Sequence, residues 1–142
     1  MGKAIEDNVR AFLASFHDPA GPDLERTLSY MTEDATYQAL VPATKRLQGH
    51  QAIRQALEKQ FTSYRDCVCE IHAIASNDRQ VFTERSDHVV LLHDERHVAS
   101  RVCAVFDMNE NGKITDWREY WDTGDILQQM GIERSVMESY IN

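Results

Sequence analysis

Between residues 81 and 92 the chain runs Val-Phe-Thr-Glu-Arg-Ser-Asp-His-Val-Val-Leu-Leu, with Arg85 and Asp87 two residues apart. Side chains alternate along a strand, so Val81, Thr83, Arg85, Asp87, Val89 and Leu91 share a face, and a guanidinium and a carboxylate stand among apolar groups. Charges taken out of water need partners. A second strand-like run sets Trp117, Glu119 and Trp121 on one face, placing another carboxylate between two indoles. An apolar setting raises a carboxyl pKa, and a guanidinium lowers that of its nearer neighbour. Two carboxyls and one arginine can therefore hold one proton between them, so that one group acts as base and the other as acid. That suits opening a strained ether with water, moving a proton between carbons of an enolisable ketone, or closing an aldol ring.

Plainer readings stand beside these. Arg85 and Asp87 could form a surface ion pair, and Glu119 could join Arg118, Asp116 and Glu84 in a solvated cross-strand ladder. Asp122 is the competing carboxylate, and alternation turns it away from Glu119.

The elements that must position these groups follow from periodicity. Ile5, Val9, Phe12, Leu13 and Phe16 repeat with helical spacing, and Asp18-Pro19-Ala20-Gly21-Pro22 ends that helix. Pro22 opens a second short helix with the stripe Leu24, Leu28 and Met31. Residues 35–41 read as a strand, Val41-Pro42 to Gly49 as a loop, and Ala52, Ile53, Ala56, Leu57 and Phe61 as a third helix ending near Tyr64. Strands are expected over 67–74, 81–92, 98–108 and 114–121. Asn111-Gly112 predicts a tight type I′ turn between the last two, with positive φ at both central positions. His93 and His97 flank Asp-Glu-Arg and read as solvated turn residues.

The run Val89 to Leu92 is apolar on both faces, which predicts a curved sheet covered by helices and enclosing a pocket. Trp117, Trp121, Val89, Ser100, Val102, Phe16 and Leu13 are the expected lining, with Ser100 as a polar spot. The tail carrying Ile126, Leu127, Met130, Val136, Met137 and Tyr140 is expected to cover the pocket mouth.

The 142 residues suit one domain over 1–142, and 42% hydrophobic content suits a packed core. A formal charge of −8 argues against nucleic acid and anionic membranes as partners. No apolar run approaches the roughly 20 residues that span a bilayer, and the first residues lack a signal-peptide core, so a cytoplasmic location is expected. Cys67, Cys69 and Cys103 are an odd set, read as small buried hydrophobes rather than a disulfide framework, and they lack the companions of a tetrahedral metal site. No metal and no cofactor are expected.

The order of elements, helices and one strand, a third helix, then a long antiparallel meander, resembles the nuclear-transport-factor-2-like α+β cone. Thr83-Glu84-Arg85-Ser86-Asp87 and Gly112-Lys113-Ile114-Thr115-Asp116-Trp117-Arg118-Glu119-Tyr120-Trp121-Asp122 are similar to two strands of the limonene epoxide hydrolase family. Thr36-Tyr37-Gln38 and Gly49-His50-Gln51-Ala52-Ile53 resemble segments of that family and of SnoaL-like proteins. The resemblance implies that Glu119 takes a proton from water held by Tyr37, that Asp87 protonates the epoxide oxygen, and that Arg85 bridges the two carboxyls. It implies a homodimer acting on a small apolar substrate without a cofactor. Two positions depart from the pattern: Glu119 replaces an aspartate, and Ala39 stands where an asparagine would help hold the water. A SnoaL-like isomerase or polyketide-type cyclase, and a non-catalytic small-molecule binding dimer, are the alternatives.

Overall fold

The computed structural model describes residues 2–17, 21–41 and 45–141. Helix α1 (Gly2–Ala14) buries Val9, Phe12 and Leu13, the inward stripe of its repeat. Phe12 meets Phe16, Trp117 and Phe106 edge-on at centroid distances of 5.4, 5.0 and 5.9 Å, so the first helix is keyed to the sheet by aromatic contacts.

Helix α2 (Leu24–Ser29) starts two residues later than Pro22 predicts, because Asp23 is its N-cap and accepts from the Arg26 amide at 3.1 Å. Met31, expected on the stripe of α2, instead begins β1 (Met31–Gln38), which starts ahead of the expected residue 35. Its pairing to Ile114 pulls it into the sheet, and an irregularity between Met31 and Thr36 absorbs the shift in register. After β2 (Leu47–Gln48), helix α3 (His50–Gln60) buries Ile53, Ala56 and Leu57. It stops short of Tyr64, which opens β3 (Tyr64–Ser76). The expected break at Asp18-Pro19-Ala20 and the Pro42 part of the following loop lie outside the described residues.

Strands β4 (Gln80–Leu91), β5 (His97–Met108) and β6 (Ile114–Trp121) complete a six-stranded sheet ordered β2-β1-β6-β5-β4-β3. All neighbours are antiparallel except β1 and β6. Irregularities between Arg65 and Val68, between Ile71 and Ala73, and between Asp107 and Met108 bend the ladder into a cup. Asp66 at the first of them has φ 55°, a left-handed conformation that aspartate tolerates better than most residues.

The β5–β6 connection is not a type I′ turn, since of its two central positions only Gly112 has positive φ, 74°. Asn109 closes a wider turn: its carbonyl accepts from Gly112 at 3.0 Å and its side chain accepts from Asn111 and Lys113. An Asn side chain able to bond its own following backbone competes with the two-residue turn and wins here. His93 and His97 are exposed, and His97 is the first residue of β5.

The tail forms α4 (Thr123–Met130) and α5 (Arg134–Ile141). Asp122 caps α4 by accepting from the Asp125 amide at 3.0 Å, which explains why it faces away from Glu119. Asp122→Ala is expected to cost about 1 kcal/mol in urea-induced unfolding, the usual worth of such a cap; an unchanged midpoint would mean that the cap is idle. Among the described residues no helix is long and apolar enough to cross a membrane.

Candidate acid–base site

Three strands bring the ionisable groups together. Thr83, Ala104 and Glu119 lie in one row across β4, β5 and β6, and Arg85, Val102 and Trp121 in the next. Strands two apart are separated by roughly 9.5 Å, twice the ladder spacing, so a long side chain is needed to join them. The small methyl of Ala104 leaves the passage over β5 open, and Arg85 uses it. Its Nε donates to Asp87 Oδ1 at 2.8 Å, and its Nη2 donates to Asp87 Oδ2 at 3.0 Å and to both oxygens of Glu119 at 2.7 and 2.9 Å. Arg85 is 2% exposed and Glu119 8%, so this is a buried cluster and not a surface ion pair. Glu119 does not join a cross-strand ladder with Arg118 and Asp116: Arg118 pairs with Asp107 at 2.9 Å and with Asp116, while Glu119 pairs with Arg85.

Burial pushes the Glu119 carboxyl up from its ordinary range, against the pull of Arg85. The Asp87 charge adds to the rise. Burial alone would lower the Arg85 pKa, but Glu119 and Asp87 outweigh it and hold the guanidinium firmly charged. The three groups carry one positive and two potential negative charges, so they are neutral when one carboxyl is protonated. A buried site favours that state.

Asp87 and Glu119 face a cavity of about 160 Å³. Tyr37, Gln60, Ser63 and Ser100 also line it, while Val89, Leu91, Val98, Val102 and Trp121 form apolar wall. Ile126, Met130 and Met137 of the tail close another side, in the covering position expected for that segment. Val136 is exposed instead, and the Tyr140 side chain lies outside the described residues. Tyr37 accepts a hydrogen bond from Gln60 Nε2 at 3.3 Å. Burial, with the Glu119 charge beside it, raises the Tyr37 phenol far enough to keep it a neutral donor. The Trp121 indole donates to the Ala39 carbonyl at 2.7 Å, tying the end of β6 to the chain just after β1.

Of the expected lining residues, Trp121, Val89, Ser100 and Val102 are on the wall. Trp117, Phe16 and Leu13 are not; all three belong to the core cluster, where Trp117 stacks on Tyr37 at 4.0 Å and 15°. The inner face of the sheet is long enough to carry both a helix-covered core and the cavity. Alternation assigns Trp117 to that face without saying at which end.

Gln60, Ser63, Tyr64 and Cys67 are wall residues that sequence reasoning missed. Gln60 had a signal: it falls seven residues after Ile53 and three after Leu57, a polar group on the buried stripe of α3. Of the cysteines, Cys67 is buried, Cys69 half-buried and Cys103 exposed, so only Cys67 fits the small-hydrophobe reading fully. Cys103 pairs with Glu84 and Tyr120 on the outer face of the sheet. The Cys69 thiol is raised by a hydrogen bond with the free Cys67 thiol and by burial, which leaves it a poor nucleophile. Among the described residues no three His, Cys, Asp or Glu side chains converge on a metal-sized site.

Residues 7–117 match the sequence family described as the SnoaL-like domain. The chain belongs to this family. This SnoaL-like domain has the nuclear-transport-factor-2-like fold, and several solved structures share it. An LEH-like epoxide hydrolase of M. tuberculosis is 24% identical, with 89% of each chain covered and a TM-score of 0.73. A putative SnoaL-like polyketide cyclase of Shewanella denitrificans is 11% identical, with 89% of this chain and 96% of that one covered and a TM-score of 0.77. SalBIII, an epoxide hydrolase/cyclase-like enzyme of pyran ring formation in the polyether salinomycin, is 18% identical over 87% and 91% of the two chains, with a TM-score of 0.69. At these identities the likeness is one of fold. For this SnoaL-like domain the chemistry must come from its own groups: an arginine shared by two carboxyls, a neutral phenol, and a cavity whose remaining wall is largely apolar.

Proposed function

We propose that this protein hydrolyses the epoxide of a small, mostly apolar molecule to a diol, using water activated directly by Glu119. The observation that carries the reading is the bridge from Arg85 to both Asp87 and Glu119 at the edge of one cavity. Water held against Tyr37 gives a proton to Glu119 and attacks one epoxide carbon. The carbon–oxygen bond breaks, and the one proton held by the coupled pair of carboxyls passes through Asp87 to the departing oxygen. Arg85 stays charged throughout and stabilises whichever carboxylate has just lost its proton. The diol leaves with Glu119 protonated and Asp87 ionised, and passage of that proton to Asp87, through Arg85-bound water or bulk, resets the site. The apolar wall binds the hydrocarbon part of the substrate and keeps competing water away from the ring. Homodimerisation belongs to the same proposal.

The raised Glu119 pKa sets a pH dependence. As base, Glu119 must be ionised, so kcat/KM should fall as pH drops through an apparent pKa above that of an ordinary glutamate, a value belonging to the coupled pair. A kcat/KM profile that stays level down to the ordinary carboxylate range would contradict this role.

The reading is tested by incubating the protein with a panel of cyclic and terminal alkyl epoxides and identifying products by mass spectrometry. Vicinal diols support it; unchanged epoxides across the panel, or only isomerised carbonyl products, overturn it. The second reading, an isomerase or cyclase, is favoured by the same pair of carboxyls facing one cavity, and it predicts proton exchange at carbon with no oxygen gained from water.

A further inference from the structure

We propose that Gln60 is a positioning residue of this site, orienting the Tyr37 hydroxyl and completing the seat of the attacking water that Ala39 cannot supply. The inference rests on the hydrolytic reading above. A water that is to attack one carbon needs more than a base: its oxygen must be held in line while one proton points at Glu119, which takes at least two further polar contacts. Besides Gln60, the wall carries the polar side chains of Ser63, Tyr64 and Ser100. The Ser63 hydroxyl is engaged by the Gln60 backbone carbonyl, and Gln60 is the side chain that bonds the Tyr37 oxygen. Ala39 contributes a methyl group, and its carbonyl is already engaged by Trp121. Ser100 stands beside Asp87 on the neighbouring strand, on the acid's side of the cluster.

Gln60 is placed differently. Its Nε2 donates to the Tyr37 oxygen at 3.3 Å, and both side chains line the cavity. A phenol oxygen that accepts on one side has its own proton free to donate on another. With the Tyr37 ring stacked on Trp117, the hydroxyl can turn only about its C–O bond, and the bond from Gln60 selects where it points. The Gln60 carbonyl oxygen can accept the second proton of the same water. The amide also has a firm base, because the Gln60 backbone carbonyl accepts from the Ser63 hydroxyl at 2.7 Å and from the Ser63 amide at 3.0 Å, closing the end of α3.

The bland alternative is that Gln60 merely fastens α3 to β1. Gln60→Met separates the two, because methionine keeps the length and loses the amide. The expected result is a fall in kcat on the order of a hundredfold, the size typical of a displaced reactant. KM and the urea midpoint should stay close to wild type. Adding Ala39→Asn to Gln60→Met should restore about tenfold or more of the lost rate, since an amide from the other side of Tyr37 can hold the same water. The proposal is overturned if Gln60→Met keeps the wild-type kcat, or if its loss of rate follows a loss of stability and Ala39→Asn restores nothing. If the wild-type protein forms no diol, the hydrolytic reading fails and takes this inference with it; if the wild type forms diol and Gln60→Met matches it, this inference alone fails.

Discussion

Arg85→Met is expected to destabilise the protein by about 3–5 kcal/mol at neutral pH, the cost of leaving buried charges without their counter-ion. Among the described residues Arg85 donates to both the Asp87 and the Glu119 carboxyls, and its removal takes those bonds from both. Methionine fills much of the volume, so the loss comes mainly from electrostatics and not from a void. The sign of the pH effect follows. Without the guanidinium, nothing offsets the burial that raises the folded-state pKa of Glu119 above its unfolded value, so the folded variant binds a proton there more tightly than the unfolded chain. Its stability is therefore greatest below the ordinary carboxylate range and is lost as pH rises through the raised Glu119 value. The gap from wild type should narrow on acidification. Urea unfolding of both proteins at pH 7 and pH 5 measures this, and a variant within about 1 kcal/mol of wild type at pH 7 would mean that the cluster is solvated rather than buried.

Glu119→Gln is expected to lower kcat by about 10²–10⁴, the range of a general base, while the fold is kept. The amide has almost the shape of the carboxylate and can still accept from Arg85 Nη2 through its carbonyl oxygen. Removing a charge that burial disfavours also offsets part of the lost ion pair. KM should change little, because the carboxylate acts on water and not on the apolar part of the substrate. Asp87→Asn should lose a comparable factor, with the loss smaller for epoxides whose opening needs less help from an acid. Equal kcat values for wild type and Glu119→Gln would remove Glu119 from the mechanism.

Much of this arrangement could be read from the residues alone, and the reasons differ by element. Period-two alternation placed Arg85, Asp87 and Glu119 on inward faces, and charges in such a setting have few options but to meet. The α+β order and the meander were legible because each strand has its own apolar run and a polar turn after it. Alternation says nothing about position along a curved sheet, and so Trp117 and Trp121, alike in sequence, part company: one stacks under Tyr37 and the other faces the cavity. Met31 looked helical by spacing, but pairing with β6, a contact 83 residues away in sequence (114 − 31), decided its state. Long-range pairing of this kind overrides local preference. Gln60 escaped notice because one polar residue at a helix end reads as exposed, and only the distance to Tyr37 gives it a role.

The most direct test is a single turnover of an epoxide substrate, with protein in excess, in water enriched in heavy oxygen. Direct attack by water puts one heavy oxygen into the diol on that first turnover, with none in the protein, and Glu119→Gln should form almost no diol on the same timescale. An unlabelled diol from the first turnover, with label left in a carboxyl of Asp87 or Glu119, would mean that a carboxylate attacks the ring itself, contradicting the role of base assigned to Glu119.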